Sequence, residues 1–171
     1  YNFSKISFSI DELVILDISR TKRDHKKFLN HIRALSEVCF IPIAAGGGVR
    51  DIDFAHSLVN NGADKVVINS LVGKSIEVIE NIVAELGSQC VLASVDVKKV
   101  GGIYKVYNSK NDEINNYNLH QFLIDIEKKG AGEILLNSVD RDGTGEGYDI
   151  ELIKKAYEVL NIPLIPCGGV G

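Results

Sequence analysis

Residues 133–141 read EILLNSVDR, and residues 12–20 read ELVILDISR. Both stretches open on Glu, run through apolar residues and close on Arg. They lie 121 positions apart (133 less 12), and Pro42 and Pro163 keep that spacing, as do Gly47 and Gly168. The segment from ELVILDISR to IPIAAGGG therefore recurs in register, without a gap, as EILLNSVDR to IPLIPCGG. Chance matches of Gly and Pro are the alternative, and four coincident spacings on matching strand ends oppose it. A repeat of about 120 residues made of strand–helix units implies an eight-stranded barrel assembled from two halves.

Outward from the repeat, the chain alternates strands and helices. Residues 12–18 (ELVILDI) are apolar almost throughout, as strands covered on both faces are. Further strands are predicted over residues 40–45, 65–69 (KVVIN), 90–97 and 163–167, with a fifth inside GAGEILLNSVDRDGTGEGYD at residues 130–149. Helical stripes fall between them: Phe28, Leu29, Ile32, Leu35 and Val38; Ala55, Leu58 and Val59; Ile76, Ile79, Ile82, Val83 and Leu86; Leu119, Phe122, Leu123 and Ile126. A last helix is expected to face inward through Ile150, Ile153, Tyr157 and Leu160. Asp51, Asn118 and Asp149 are placed to cap helices, and Gly62 and Gly87 to stop them. The fourth strand should run into a hairpin that turns at Gly101-Gly102 and returns over residues 103–107. Residues 1–9 read as the tail of a helix that begins upstream.

Strict alternation gives an α/β fold with a parallel sheet, and the repeat selects the (β/α)8 TIM barrel. The expectation is a single incomplete barrel domain over residues 1–171, carrying about strands two to seven. Of the 171 residues, 45% are hydrophobic and 25% charged, enough for one sizeable core. A net charge of −4 argues against nucleic acid or an anionic membrane as partner. No apolar run approaches the roughly 18 residues of a membrane span. Cys39, Cys90 and Cys167 are far apart and in no metal-ligand spacing, so reduced thiols, a cytoplasmic location and no metal or other cofactor are expected.

In such barrels chemistry lies at the carboxyl ends of the strands. Gly46-Gly47-Gly48 permits close backbone approach and leads to a helix start at Asp51, an arrangement suited to phosphate. Gly168-Gly169 is its repeat partner across the mouth, with Asp142-Gly143-Thr144 nearby. Strand-end glycines can simply turn the chain, but two such sites related by the repeat suit a ligand with a phosphate at each end. Asp96 closes the apolar run VLASVD and is the catalytic candidate, since burial there can tune a carboxyl for acid–base work. A loop carboxylate bonding local N–H groups is the plainer reading. Glu12, Lys65 and Glu133 start alternate strands and so share one layer at the opposite rim. They read either as a salt-bridged plug or as a gate on a central passage.

The chain at this point resembles a known family. ADKVVINS (residues 63–70), SVDVKK (94–99), GAGEILLNSVDRDGTGEGYD and the two Gly-Gly strand ends are similar to the cyclase subunit of imidazole glycerol phosphate synthase, from about Ile10 to Gly171. That resemblance implies a barrel paired with a glutaminase, whose ammonia crosses the barrel to a ribonucleotide carrying two phosphates. The products would be imidazole glycerol phosphate and an aminoimidazole carboxamide ribotide. It implies that Asp96 is one of two catalytic aspartates. Gly47, Gly48, Asn69, Ser70, Asp142, Gly143, Gly168 and Gly169 would bind phosphate or substrate. Glu12, Lys65 and Glu133 would gate ammonia, and Asp64 and Gln89 would face the glutaminase.

The chain departs from the family at Asp17-Ile18-Ser19-Arg20-Thr21, where Thr-Ala-Ser is usual, and at Asn137, where Thr is common. Glu37-Val38-Cys39-Phe40-Ile41-Pro42 and Cys167-Gly168-Gly169 are similar to a sister group that works with an amidotransferase-like partner in making acetamidino sugars for surface polysaccharides. A non-catalytic phosphate-binding barrel is the third reading. The stretch as it stands is expected to be inactive alone.

Overall fold

The computed structural model describes residues 10–19, 22–69, 75–109 and 111–170. The helix tail expected over residues 1–9 lies outside them. The strands are β1 (Leu13–Leu16), β2 (Ile43–Gly46), β3 (Lys65–Ile68), β4 (Val91–Val100), β5 (Ile103–Asn108), β6 (Glu113–Asn118), β7 (Glu133–Ser138) and β8 (Leu164–Cys167). The helices are α1 (His25–Ser36), α2 (Ile52–Asn60), α3 (Ser75–Leu86), α4 (Leu119–Lys128) and α5 (Ile150–Tyr157). Six strands run parallel in the order β1-β2-β3-β4-β7-β8, each after the first reached through a helix, and β5 and β6 extend antiparallel from β4. This is the wall of an α/β barrel of the TIM type.

Local signals set the helix starts. The carboxylates of Asp24, Asp51 and Asp149 and the amide oxygen of Asn118 each accept a backbone N–H three residues on, satisfying a donor the first turn would leave bare. The Asp24 cap has no counterpart in the sequence reading. At the end of α2 the chain reverses through Gly62 at φ +101, and Ala63 N–H closes on Leu58 carbonyl.

The repeat is reproduced in the register. Leu13, Val14, Ile15 and Leu16 face Ile43, Ala44, Ala45 and Gly46; 121 positions later, Ile134, Leu135, Leu136 and Asn137 face Leu164, Ile165, Pro166 and Cys167. Alternation then divides each strand between two cores. Val66, Ile68, Val91, Ala93, Val95, Ile134 and Leu136 point toward the helices and join the main core with Ile32, Leu58, Ile82 and Phe122. Ala44, Val67, Leu92 and Leu135, with Val14 and Ile165, form a separate small cluster on the other face, the interior layer of the barrel.

Curvature is visible in one ammonium group. Glu12 and Glu133 flank Lys65 by two strands on either side, so on a flat sheet their stems would stand about 19 Å apart. Lys65 Nζ nevertheless lies 2.7 Å from Glu12 Oε2 and 2.9 Å from Glu133 Oε1. The sheet therefore curls toward that face.

Three expectations are corrected. The second strand starts at Ile43 rather than residue 40, and Phe40 is 92% exposed. The hairpin has a further strand, β6, whose EINNYN sequence lacks the apolar alternation that would announce it. α5 faces the core through Leu152 and Ala156, with Ile153 and Leu160 beside them, while Ile150 and Tyr157 are exposed. The exposed pair sits on the far side of a helix whose apolar stripe is one position out of phase with the predicted one.

Candidate functional site

At the carboxyl ends of the strands the interior face turns polar. Asp96 follows Leu92 and Ser94 along the inward side of β4 and is 7% exposed. It stands opposite Asn137 of β7, whose Nδ2 donates to Asp96 Oδ1 at 3.0 Å. Asn137 Oδ1 is buried and has no partner among the described residues. Cys167 ends β8 next to Asn137, its thiol pushed up by burial and by the negative charges of Asp142 and Asp96. Asn69 Nδ2 donates to Ser94 Oγ at 3.1 Å, bringing the end of β3 to the same mouth. Ser70 lies outside the described residues.

Two glycine loops flank this cluster and match in backbone. Gly47 and Gly48 have φ of +118° and +77°; Gly168 and Gly169 have +94° and +90°. A Cβ on Gly47 would stand 2.4 Å from Asp17 carbonyl oxygen, and one on Gly168 would stand 2.6 Å from Ser138 carbonyl oxygen. Asp17 and Ser138 are themselves 121 positions apart, so each loop folds over the equivalent strand end. Glycine is required at both places by conformation and by space. The Asp140–Thr144 loop reaches the second of them: Asp142 N–H bonds Ser138 carbonyl, and Gly147 N–H bonds Gly169 carbonyl at 2.7 Å. Gly143 turns in open space at φ +73°.

Beside the first loop the sequence reading missed Arg23. Its guanidinium packs on Gly48 and lies 3.8 Å from Asp17 Oδ2, with Nε buried and unbonded among the described residues. Burial raises the Asp17 carboxyl, but hydrogen bonds from Ser19 and the charges of Arg23 and His25 outweigh that and hold it below its ordinary value. A glycine turn at a strand end gave no sequence signal that a residue six positions after Asp17 would fold back over it.

The opposite rim holds Glu12, Lys65 and Glu133 as one cluster. Three carboxylate oxygens lie 2.7–2.9 Å from Lys65 Nζ. Burial lowers the Lys65 ammonium, but both glutamates outweigh it and raise it above its ordinary value. Asp64 and Gln89 precede β3 and β4 on this rim and are exposed. Asp64 is already engaged, accepting Ile43 N–H at 2.8 Å, and Gln89 Nε2 reaches Leu86 carbonyl at 3.4 Å.

A cleft of about 380 Å³ lies off to one side, between the hairpin and the start of α5, and Asp96 does not line it. Its polar groups are paired: Tyr104 hydroxyl donates to Asp149 at 2.8 Å and Lys99 bridges to Glu151 at 2.7 Å. Burial and the Asp149 carboxylate push the Tyr104 phenol up to about 12. These contacts anchor the hairpin.

Two repeat-related glycine loops flanking a buried carboxyl at the strands' carboxyl ends define the class: a doubled α/β barrel of the TIM type. The chain belongs to the histidine biosynthesis protein family, whose family model matches residues 6–171. It is 42% identical over 161 residues to the imidazole glycerol phosphate synthase subunit HisF of Prosthecochloris aestuarii, covering 94% of this chain and 64% of that protein. The proteins of the same name from Sulfolobus acidocaldarius and Flavobacterium johnsoniae are each 40% identical, covering 94% of this chain and 65% and 64% of theirs. The chain thus spans a little under two thirds of the length of these relatives.

Proposed function

We propose that the chain is the middle part, about strands two to seven of eight, of a cyclase subunit of imidazole glycerol phosphate synthase. The observation that carries this reading is Asp96, buried on the inward face between two glycine loops that the repeat makes equivalent. The substrate is the ribulosyl formimino-aminoimidazole carboxamide ribotide with a phosphate at each end. One phosphate rests on the Gly47-Gly48 loop and the other on Gly168-Gly169 with Asp142-Gly143, where glycine allows close approach of an anion to the backbone. Asn69 stands at the same mouth, and it and Ser70, the next residue in sequence, are assigned to substrate binding. Held at both ends, the substrate presents its reacting centre to Asp96, and binding energy remote from that centre fixes its orientation.

Ammonia must reach an imine-like carbon as the neutral amine, so a dry route through the barrel from a partner glutaminase serves the chemistry. Glu12, Lys65 and Glu133 stand at the base of that route, with Asp64 and Gln89 on the rim that the glutaminase covers. Asp96 then moves protons during ring closure and C–N cleavage, which release imidazole glycerol phosphate and the aminoimidazole ribotide. The subunit works in the cytoplasm, where these phosphorylated metabolites are.

The test uses the full-length gene product with ammonium and the bis-phosphorylated intermediate. Turnover should appear, and Asp96→Asn should reduce it about 10²- to 10⁴-fold. An Asp96→Asn protein as active as the parent sinks the assignment. One observation favours a second reading, the sister group acting in acetamidino-sugar synthesis: Arg23 and Asp17 form an ion pair over the Gly48 loop, in a segment unlike the histidine enzymes. Failure of the full gene to rescue a histidine-requiring strain would favour it. Ligand-induced thermal stabilisation without any turnover would instead mark a non-catalytic phosphate-binding barrel.

A further inference from the structure

We propose that Asn137 positions Asp96 and, through its own carbonyl oxygen, accepts a hydrogen bond from an N–H or O–H group of the ligand at the barrel mouth. The assignment rests on the cyclase reading above and names the residue that orients its central carboxyl. Asn137 Nδ2 donates to Asp96 Oδ1 at 3.0 Å, from the neighbouring strand and the same register level. The amide can face a carboxylate only with its N–H side, because its oxygen would meet another acceptor. That orientation leaves Oδ1 pointing elsewhere, buried and without a partner among the described residues. A buried acceptor with no donor is costly and rare, so one kept beside a reactive carboxyl is explained by a ligand that supplies the donor.

Two further facts point the same way. Gly168 sits beside the acceptor and leaves the space of a side chain empty there: a Cβ would stand 3.4 Å from Asn137 Oδ1. The repeat also supplies an internal control. Leu16 occupies the equivalent register position in the first half, facing Gly46 as Asn137 faces Cys167. The same strand pair is thus built with an apolar residue at that level, and packing alone does not call for an amide.

The experiment uses the full-length protein with three side chains at this position: Asn, Leu (as at the duplicate site) and Thr, whose hydroxyl can both donate and accept. Steady-state kinetics with ammonium should show kcat of Asn137→Leu lowered about 10- to 100-fold, the loss expected when a hydrogen bond to a charged group goes. KM for the bis-phosphorylated intermediate should rise several-fold, with the melting temperature within a few degrees of the parent. Asn137→Thr should recover much of both losses. A Leu protein with parental kcat and KM overturns the proposal. A crystal structure of Asn137→Leu tests the positioning half without any activity: Asp96 should leave its present orientation, and an unmoved carboxylate refutes it. Should the parent protein bind the intermediate without turning it over, the cyclase reading falls. The affinity loss of Asn137→Leu, read by calorimetry, then decides the acceptor half alone.

Discussion

Between β1 and β2, Leu13 faces Ile43 and Leu16 faces Gly46; between β7 and β8, 121 positions on, Ile134 faces Leu164 and Asn137 faces Cys167. Even the entry bonds correspond, Leu13 N–H to Pro42 carbonyl at 2.9 Å and Ile134 N–H to Pro163 carbonyl at 3.0 Å. The chemistry above that shared frame does not correspond. In the first half Asp17 binds Ser19 N–H and pairs with Arg23. In the second, Ser138 hydroxyl turns outward to Asp149 at 3.3 Å, and Asn137 turns inward to Asp96. Backbone geometry has been kept in both copies, while the side chains at the strand ends have parted. The doubled scaffold fixes the backbone at both glycine loops; the unequal residues make the two strand ends chemically different.

The largest expected effect tests the shared frame. Gly47→Val and Gly168→Val each put a β-branched residue at positive φ with Cβ against a carbonyl oxygen, at 2.4 and 2.6 Å. Each should cost about 3 kcal/mol or more in urea unfolding. The two costs should agree within about 1 kcal/mol, given like strain at like sites. A cost at one site only would break the equivalence of the halves.

A smaller effect tests where the halves meet. Lys65→Met strands two glutamates whose side chains are about a quarter exposed, and should cost about 2 kcal/mol. The sign with pH follows from the ammonium being raised above 10.5 in the fold. Its stabilisation is complete below that value and is lost as pH climbs through the higher folded one. Alkaline destabilisation above about pH 10.5 should therefore be weaker in Lys65→Met than in the parent. Within the cluster, Glu133 engages through both oxygens and Glu12 through one. Glu133→Gln should accordingly be the more damaging of the two amides by equilibrium unfolding, and the reverse order would remove the asymmetry.

The smallest effect sharpens the contrast at the strand ends. The Asp17 carboxyl is held below its ordinary value of 3.8. Its contribution is present above that pH and fades as pH falls through the lower folded value. Asp17→Asn should remove about 1 kcal/mol or less of stability at neutral pH and flatten the acid limb below about pH 4. Ser138→Ala, at the duplicate position, should leave the acid limb as it is.

Much of this was legible in sequence because periodicity and spacing are local signals. The six parallel strands, the caps at Asp51, Asn118 and Asp149, and the coming together of Glu12, Lys65 and Glu133 all follow from pattern and repeat. β6 was not legible, since EINNYN is polar and pairs only with another strand of the hairpin. The Arg23 fold-back and the bond between Asn137 and Asp96 were not legible either. Both depend on where a side chain goes once strands distant in sequence have been aligned. The phase of α5 was not legible because Ile150 and Tyr157 are large and apolar yet stand away from the Leu152 and Ala156 face that meets the core.

The ammonium at the base of the barrel has three hydrogens, and three oxygens stand within 2.9 Å of it. Two of those oxygens belong to the single Glu133 carboxylate and share one N–H direction, so the ammonium spends one hydrogen on Glu133, one on Glu12, and keeps a third. One ammonium thus ties the residue before β1 to the first residue of β7, and a single side chain joins the two duplicated halves at this rim.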